Sequence, residues 1–166
     1  MRVSFFSVGF FILSLLSESV LASSCLHKAD DEAIRVRQLH VELMVAALKC
    51  GNGGSGLRDS YGRYVQAHSS ALSSNAHELR GYFKRSYGKN SAYHFDRFMT
   101  RLANDASIRS QGITSYCQDA AKVLDAVNAL ETAEGLKRFA VSSMPIHDDS
   151  LPQCKVSGQE ARTASR

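Results

Sequence analysis

Between Asp30 and Val141 the apolar residues recur at intervals of three, four and seven, and no segment alternates convincingly between apolar and polar. Such spacing lays apolar side chains along one stripe of an α-helix, whereas a half-buried strand needs a period of two. The chain is therefore limited to an all-α fold, because amphipathic helices bury their stripes by packing on one another.

The first helix is predicted to open at Asp30-Asp31-Glu32, where the backbone dipole favours acids, and to run to about Lys49. Its inward positions are Ile34, Leu39, Leu43, Met44, Ala47 and Leu48, and Gly51 stands where a helix-ending glycine belongs. A second helix opens near Asp59-Ser60 and turns Tyr61, Tyr64, Val65, Ala71, Leu72, Leu79, Tyr82 and Phe83 inward. Gly88-Lys89-Asn90 breaks it, and a third helix from Ser91 carries Phe95, Phe98, Met99, Leu102 and Ala106. After Gly112, the pattern Ser115-x-x-Gln118 predicts a capping box at the start of a fourth. Its inner face is Ala120, Ala121, Leu124, Val127 and Leu130, and residues Ala133 to Val141 either extend it or form a short fifth helix. Short links between these helices predict an antiparallel up-and-down bundle of four, or five, helices.

The N-terminus predicts where the domain works. Arg2, the apolar run from Phe5 to Leu16 and the sequence Val20-Leu21-Ala22 have the anatomy of a secretory signal peptide over residues 1–22. Export to the periplasm or beyond follows, leaving one domain over residues 23–154 and a polar, aperiodic tail over 155–166 that is expected to be disordered. No later apolar run reaches the length of about 18 residues needed to span a membrane, so no transmembrane segment is expected in the mature chain. The net charge of +4 favours acidic partners without selecting one.

Four cysteines, Cys25, Cys50, Cys117 and Cys154, all lie beyond the signal, and an even number in an exported chain predicts two disulfides. None forms C-x-x-C, which argues against a thioredoxin-like site, a zinc ribbon and c-type haem attachment. In an up-and-down bundle Cys50 and Cys117 share one end, and Cys25 and Cys154 share the other. A Cys25–Cys50 bridge would have to cross a helix of roughly 30 Å, whereas disulfides need Cα atoms within about 7 Å. The predicted pairs are Cys50–Cys117 and Cys25–Cys154.

Chemistry-bearing motifs do not survive their context. Gly51, Gly53 and Gly56 satisfy G-x-G-x-x-G, but a helix rather than a strand precedes them, so the loop is expected to be a linker. No Lys-Ser or Lys-Thr follows as a P-loop requires, and G-x-S-x-G is absent. The histidines never pair at i and i+3 or i+4, and His68 and His77 fall on opposite sides of a helix, so no metal or other cofactor is expected. The paired acids Asp30-Asp31 and Asp148-Asp149 fall at a helix start and in a tail, where solvation is the ordinary state. With no nucleophile or acid–base pair in evidence, an enzyme is the least expected class.

Two features are candidates for binding. From Leu79 to Arg101 the chain sets Arg80, Lys84, Arg85, Lys89, Arg97 and Arg101 against one acid, Asp96, with tyrosines and phenylalanines between them. In an exported protein that pattern favours an anionic envelope surface or an acidic protein face over nucleic acid. Helical spacing alternatively sends Phe83, Phe95 and Phe98 to the core and leaves the cations as a solvated face. Tyr61, Tyr64 and Tyr82 are candidates to line a pocket with a wet mouth, since a tyrosine has an apolar body and a polar tip.

The blocks "ELMVAALKC", "LRGYFKRSYG" and "HFDRFMTRLANDASIRS", within roughly Leu39 to Leu124, resemble a family of small exported all-helical proteins of Gram-negative bacteria. That family has no assigned activity. The resemblance implies a periplasmic helical domain and supplies no catalytic residue. The functional expectation is a non-catalytic binding or structural role in the periplasm or envelope. The alternative is a carrier or chaperone-like protein for a lipid, peptide or other apolar ligand.

Overall fold

The computed structural model describes residues 26–51, 56–144 and 151, and these form helices and no strand. The helices are α1 (Lys28–Cys50), α2 (Leu57–Ala67), α3 (Ser69–Tyr87), α4 (Ser91–Gly112), α5 (Tyr116–Asn128) and α6 (Ala133–Ser143), with a 3-10 turn at Gly88–Asn90. The predicted signal peptide, Cys25, Cys154 and the predicted tail lie outside the described residues.

α1 is the axis of the molecule and touches every other helix. Its start is fixed by Asp30, whose carboxylate accepts from the His27 backbone N–H at 3.0 Å and so satisfies an orphan donor of the first turn. Its two sides serve two halves of the core. Val36, Leu39, Leu43 and Ala46 pack with Tyr64, Leu124, Val127, Leu136 and Ala140 from α2, α5 and α6. Ala33, Ile34, Val41 and Val45 pack with Leu79, Phe83, Phe98, Leu102 and Ala106 from α3 and α4. A single inward stripe does not describe such a helix. Leu48, expected inward, is 63 % exposed, while Val36, Val41 and Val45 are buried. A helix apolar around most of its circumference is one surrounded by neighbours.

The expected second helix is interrupted at His68, giving α2 and α3. Backbone bonding carries on through the break, from His68 N–H to Tyr64 O and from Leu72 N–H to His68 O. The His68 ring is buried and lies 3.0 Å from the Val127 carbonyl of α5. α3 runs against α1 in the opposite sense, with Asn75 Nδ2 donating to Ala33 O at 2.7 Å and Arg85 donating to Asp30 at 2.5 Å.

Two local expectations are corrected. Gly51 ends α1 in a right-handed conformation, φ −72°, and the position that needs glycine is Gly56, at φ 66° before α2. Ser115 starts α5 but makes no capping box; its hydroxyl donates to the Asp119 carboxylate at 2.6 Å, one residue beyond Gln118. Of the two alternatives for Ala133 to Val141 the separate short helix is the one found: α6 runs through Gly135 and starts where the Thr132 hydroxyl accepts from the Gly135 N–H. The Cys50–Cys117 disulfide is present, with Cα atoms 5.7 Å apart, and joins the end of α1 to the start of α5.

Candidate functional site

The most ligand-like concavity is a groove of about 320 Å³ between α1, α5 and the ends of α4 and α6. Its walls are apolar: Leu39, Leu43 and Ala46 from α1, Ala120 and Val123 from α5, and Met144 after α6. The helix termini are placed by specific bonds. Arg35 of α1 donates to the carbonyls of Val141 and Met144, at 3.2 and 2.7 Å, holding the end of α6 in position. A cation on the last carbonyls of a helix is the favourable pole for its charge. Lys49 donates to the Ser110 carbonyl and ties the end of α4 to α1.

The polar groups of the groove are few. Glu42 and Arg109 form an ion pair across its edge, with Arg109 Nε donating to Glu42 Oε1 at 3.0 Å. Tyr116 Oη is buried without a hydrogen-bond partner among the described residues, and burial pushes this phenol up in pKa, with Glu42 adding to the shift. It stays a neutral donor at any physiological pH. Asp119, at the outer lip, is held below the usual carboxylate range by the Ser115 hydroxyl and by Lys122. Apolar walls, one unused hydroxyl and a charged rim suit the insertion of an apolar body carrying a polar end. The periodicity marked Leu39, Leu43 and Ala120 as inward-facing, but nothing in the sequence showed that α5 and α6 leave this gap.

The three candidate tyrosines do not share a pocket. Tyr82 is buried in the α3–α4 half of the core, its ring edge-on to Phe83, because α3 turns that position towards α4. Tyr64 is buried in the other half, and Tyr61 is half-buried beside it. These two rings gather around His40, with centroids 5.9 and 6.0 Å from the imidazole.

The basic stretch divides. Phe83 and Phe98 are core residues, as helical spacing allows. Arg85 is engaged by Asp30, Arg80 lies over the Phe95 ring at 5.4 Å, and Arg97 lies over Tyr93 at 5.6 Å. Lys84 and Lys89 are exposed, and Arg101 is half-buried. Cations therefore cover the outer side of α3 and α4 without converging on one point. Among the described residues no three His, Cys, Asp or Glu side chains come together as metal ligands.

His40 also makes stability depend on pH. Burial, with Arg37 adding repulsion, lowers its pKa from 6.5 to about 4. The unfolded chain therefore binds a proton that the folded one refuses between those values. Stability is complete above 6.5 and is lost as pH falls towards 4. From about pH 7.5 to about pH 5 the loss from this group is expected to be about 2 kcal/mol. Urea unfolding of the parent and of His40→Gln at both pH values measures it; an equal loss in both proteins would assign the effect elsewhere.

No protein-family model, curated protein or solved structure matches the chain.

Proposed function

We propose that the protein is an exported, disulfide-braced helical binding protein whose groove between α1 and α5 takes an apolar ligand with a polar end. The observation that carries this reading is the apolar groove with a buried Tyr116 hydroxyl that no group of the described residues uses. An unsatisfied buried hydroxyl is costly unless something accepts from it. A ligand oxygen or nitrogen that reaches it fills that role while its hydrocarbon part replaces water on Ile113, Val123 and Met144.

On this reading residues 1–22 are a signal peptide and the working domain begins at Ser23 in the periplasm or outside the cell. The antiparallel packing seen for α1 and α3 extends to the bundle as a whole, and Cys25–Cys154 is a second bridge. The role is non-catalytic, in keeping with the resemblance noted above. Partners of fitting chemistry are acyl chains or apolar small molecules and, on the Arg80–Lys84 face, an anionic envelope surface.

A fluorophore with an alkyl chain and a terminal carboxylate tests the groove. Val123→Glu places a charge of the probe's own sign on the partly buried wall of α5 and should weaken its binding at least tenfold, about 1.4 kcal/mol, while helical content stays unchanged. Binding that is absent in the parent, or unaltered by the substitution, overturns the groove as the site. N-terminal sequencing of protein recovered from the envelope tests export separately; a chain still beginning at Met1 would oppose it.

A further inference from the structure

Two charged residues, Asp30 and Arg37, are buried among the described residues, and they are treated very differently. Asp30 accepts from Arg85 and from the His27 N–H. Arg37 is 9 % exposed and makes one hydrogen bond, from Nη2 to the Leu72 carbonyl at 3.2 Å. Its Nε is buried with no partner among the described residues. No carboxylate of the described residues pairs with it, and the charged group nearest in influence is another cation, Arg80 of α3.

A guanidinium has five N–H donors, no acceptor, and a charge that it cannot shed. Leaving it buried and uncompensated is among the most costly arrangements a domain can contain. The groups around it make the deficit specific. Tyr64 is fully buried with its hydroxyl unpartnered, and His40 Nδ1 is buried and unpartnered. Arg37 and His40 stand one helical turn apart on the same face of α1, and the electrostatic influence of Tyr64 and Tyr61 reaches Arg37 from α2. The cluster thus holds three potential donors and one full positive charge, and no acceptor of the described residues serves any of those three atoms.

We propose that Arg37, His40 and Tyr64 form a binding site for a small monovalent anion, a halide or a single carboxylate group. One negative charge matches the one uncompensated guanidinium. The Arg37 Nε–H, the Tyr64 hydroxyl and a protonated Nδ1 of a neutral imidazole each donate to it. The occupant must be small, because the rings of His40, Tyr61 and Tyr64 are packed with centroids 5.9 to 6.0 Å apart. Half-buried Tyr61 and His40 form the side open to solvent. None of these residues lines the groove, so the two sites are independent.

The test is thermal unfolding of the full oxidised protein at constant ionic strength, with gluconate, too bulky to enter, replaced stepwise by chloride, formate or acetate. Binding to the folded state alone raises Tm saturably, by about 5 °C or more once the anion exceeds its dissociation constant a hundredfold. A response to chloride identifies a halide site, and one to formate and acetate identifies a site for an organic carboxylate; either supports the proposal. Arg37→Met should abolish the response and, in gluconate, be at least as stable as the parent, because an apolar side chain replaces an unpaired buried charge. Tyr64→Phe preserves the ring and should weaken apparent anion affinity about tenfold, the value of one lost hydrogen bond to a charge. It keeps the proposal testable if Arg37→Met does not fold. A parent Tm indifferent to all three anions, or a response that persists unchanged in either variant, overturns the site.

Discussion

Replacing Cys50 and Cys117 together with alanine is expected to lower stability by about 4 kcal/mol and Tm by roughly 10–15 °C. The bridge closes a loop with a sequence separation of 67 residues. In the chain-entropy account the stabilisation comes from the conformations the unfolded chain can no longer visit, and it grows with the logarithm of that separation. The folded contacts at this end are modest substitutes. Lys49 lies 5.5 Å from the Tyr116 ring centroid, and Lys122 and Ser115 serve the exposed Asp119 rather than α1. The variant should therefore lose more than stability. Tyr116 is adjacent to Cys117, so freeing the start of α5 also loosens the polar end of the groove, and fluorophore affinity should fall with it. Urea unfolding of the double-alanine variant beside the oxidised parent measures the first effect. A difference below about 1 kcal/mol would mean the bridge contributes little beyond a surface contact.

Phe83→Ala is expected to cost about 3–5 kcal/mol, the range for emptying a fully buried aromatic site. Phe83 is 1 % exposed and is the meeting point of four rings, those of Tyr82, Tyr87, Phe95 and Phe98, at centroid distances of 5.2 to 5.6 Å. Edge-on and tilted ring pairs add to simple area burial. The cavity left behind is bordered by rigid rings on α3 and α4 that cannot collapse into it, which places the cost at the upper end. Phe95→Ala is the control: Phe95 is only half-buried, and its loss should cost less than half as much. Equal losses from both would show that the ring cluster is not centred on Phe83. Because α1 serves both halves of the core, either variant should still unfold in one transition.

The presence of each helix was legible because periodicity reports burial on one side, and that rule holds for α3, α4 and α5. It failed for α1, where burial on two sides spreads the signal. The run Val41, Leu43, Met44, Val45, Ala46, Ala47 leaves little room for a polar face, and that was the available sign. The break at His68 was not legible. Alanine and serine flank it, and its partner is a backbone carbonyl of α5 that no local pattern announces. Ser115 misled because its hydroxyl donates to the charged Asp119 carboxylate instead of accepting from a first-turn backbone N–H as a capping box requires. Of the two binding features the sequence suggested, the cationic face was readable as composition, while Tyr61, Tyr64 and Tyr82 fall in different parts of the core. The groove was not readable, since a gap between helices depends on where their ends are held. Arg37 was invisible for a related reason: arginine is ordinarily solvated, and only the packing of α2 and α3 over α1 encloses it.

The placement of α1 has a consequence for the order in which the chain is made. Of the described helices, the one that every other needs is the first to leave the ribosome, and Leu136 and Ala140, which cover part of it, are among the last described residues to emerge. At ordinary synthesis rates the interval is roughly 5–20 s. During that time the described helix with the most buried residues has few of its own partners, and Val36, Leu39 and Leu43 stay open to water and to other nascent chains until the later helices cover them.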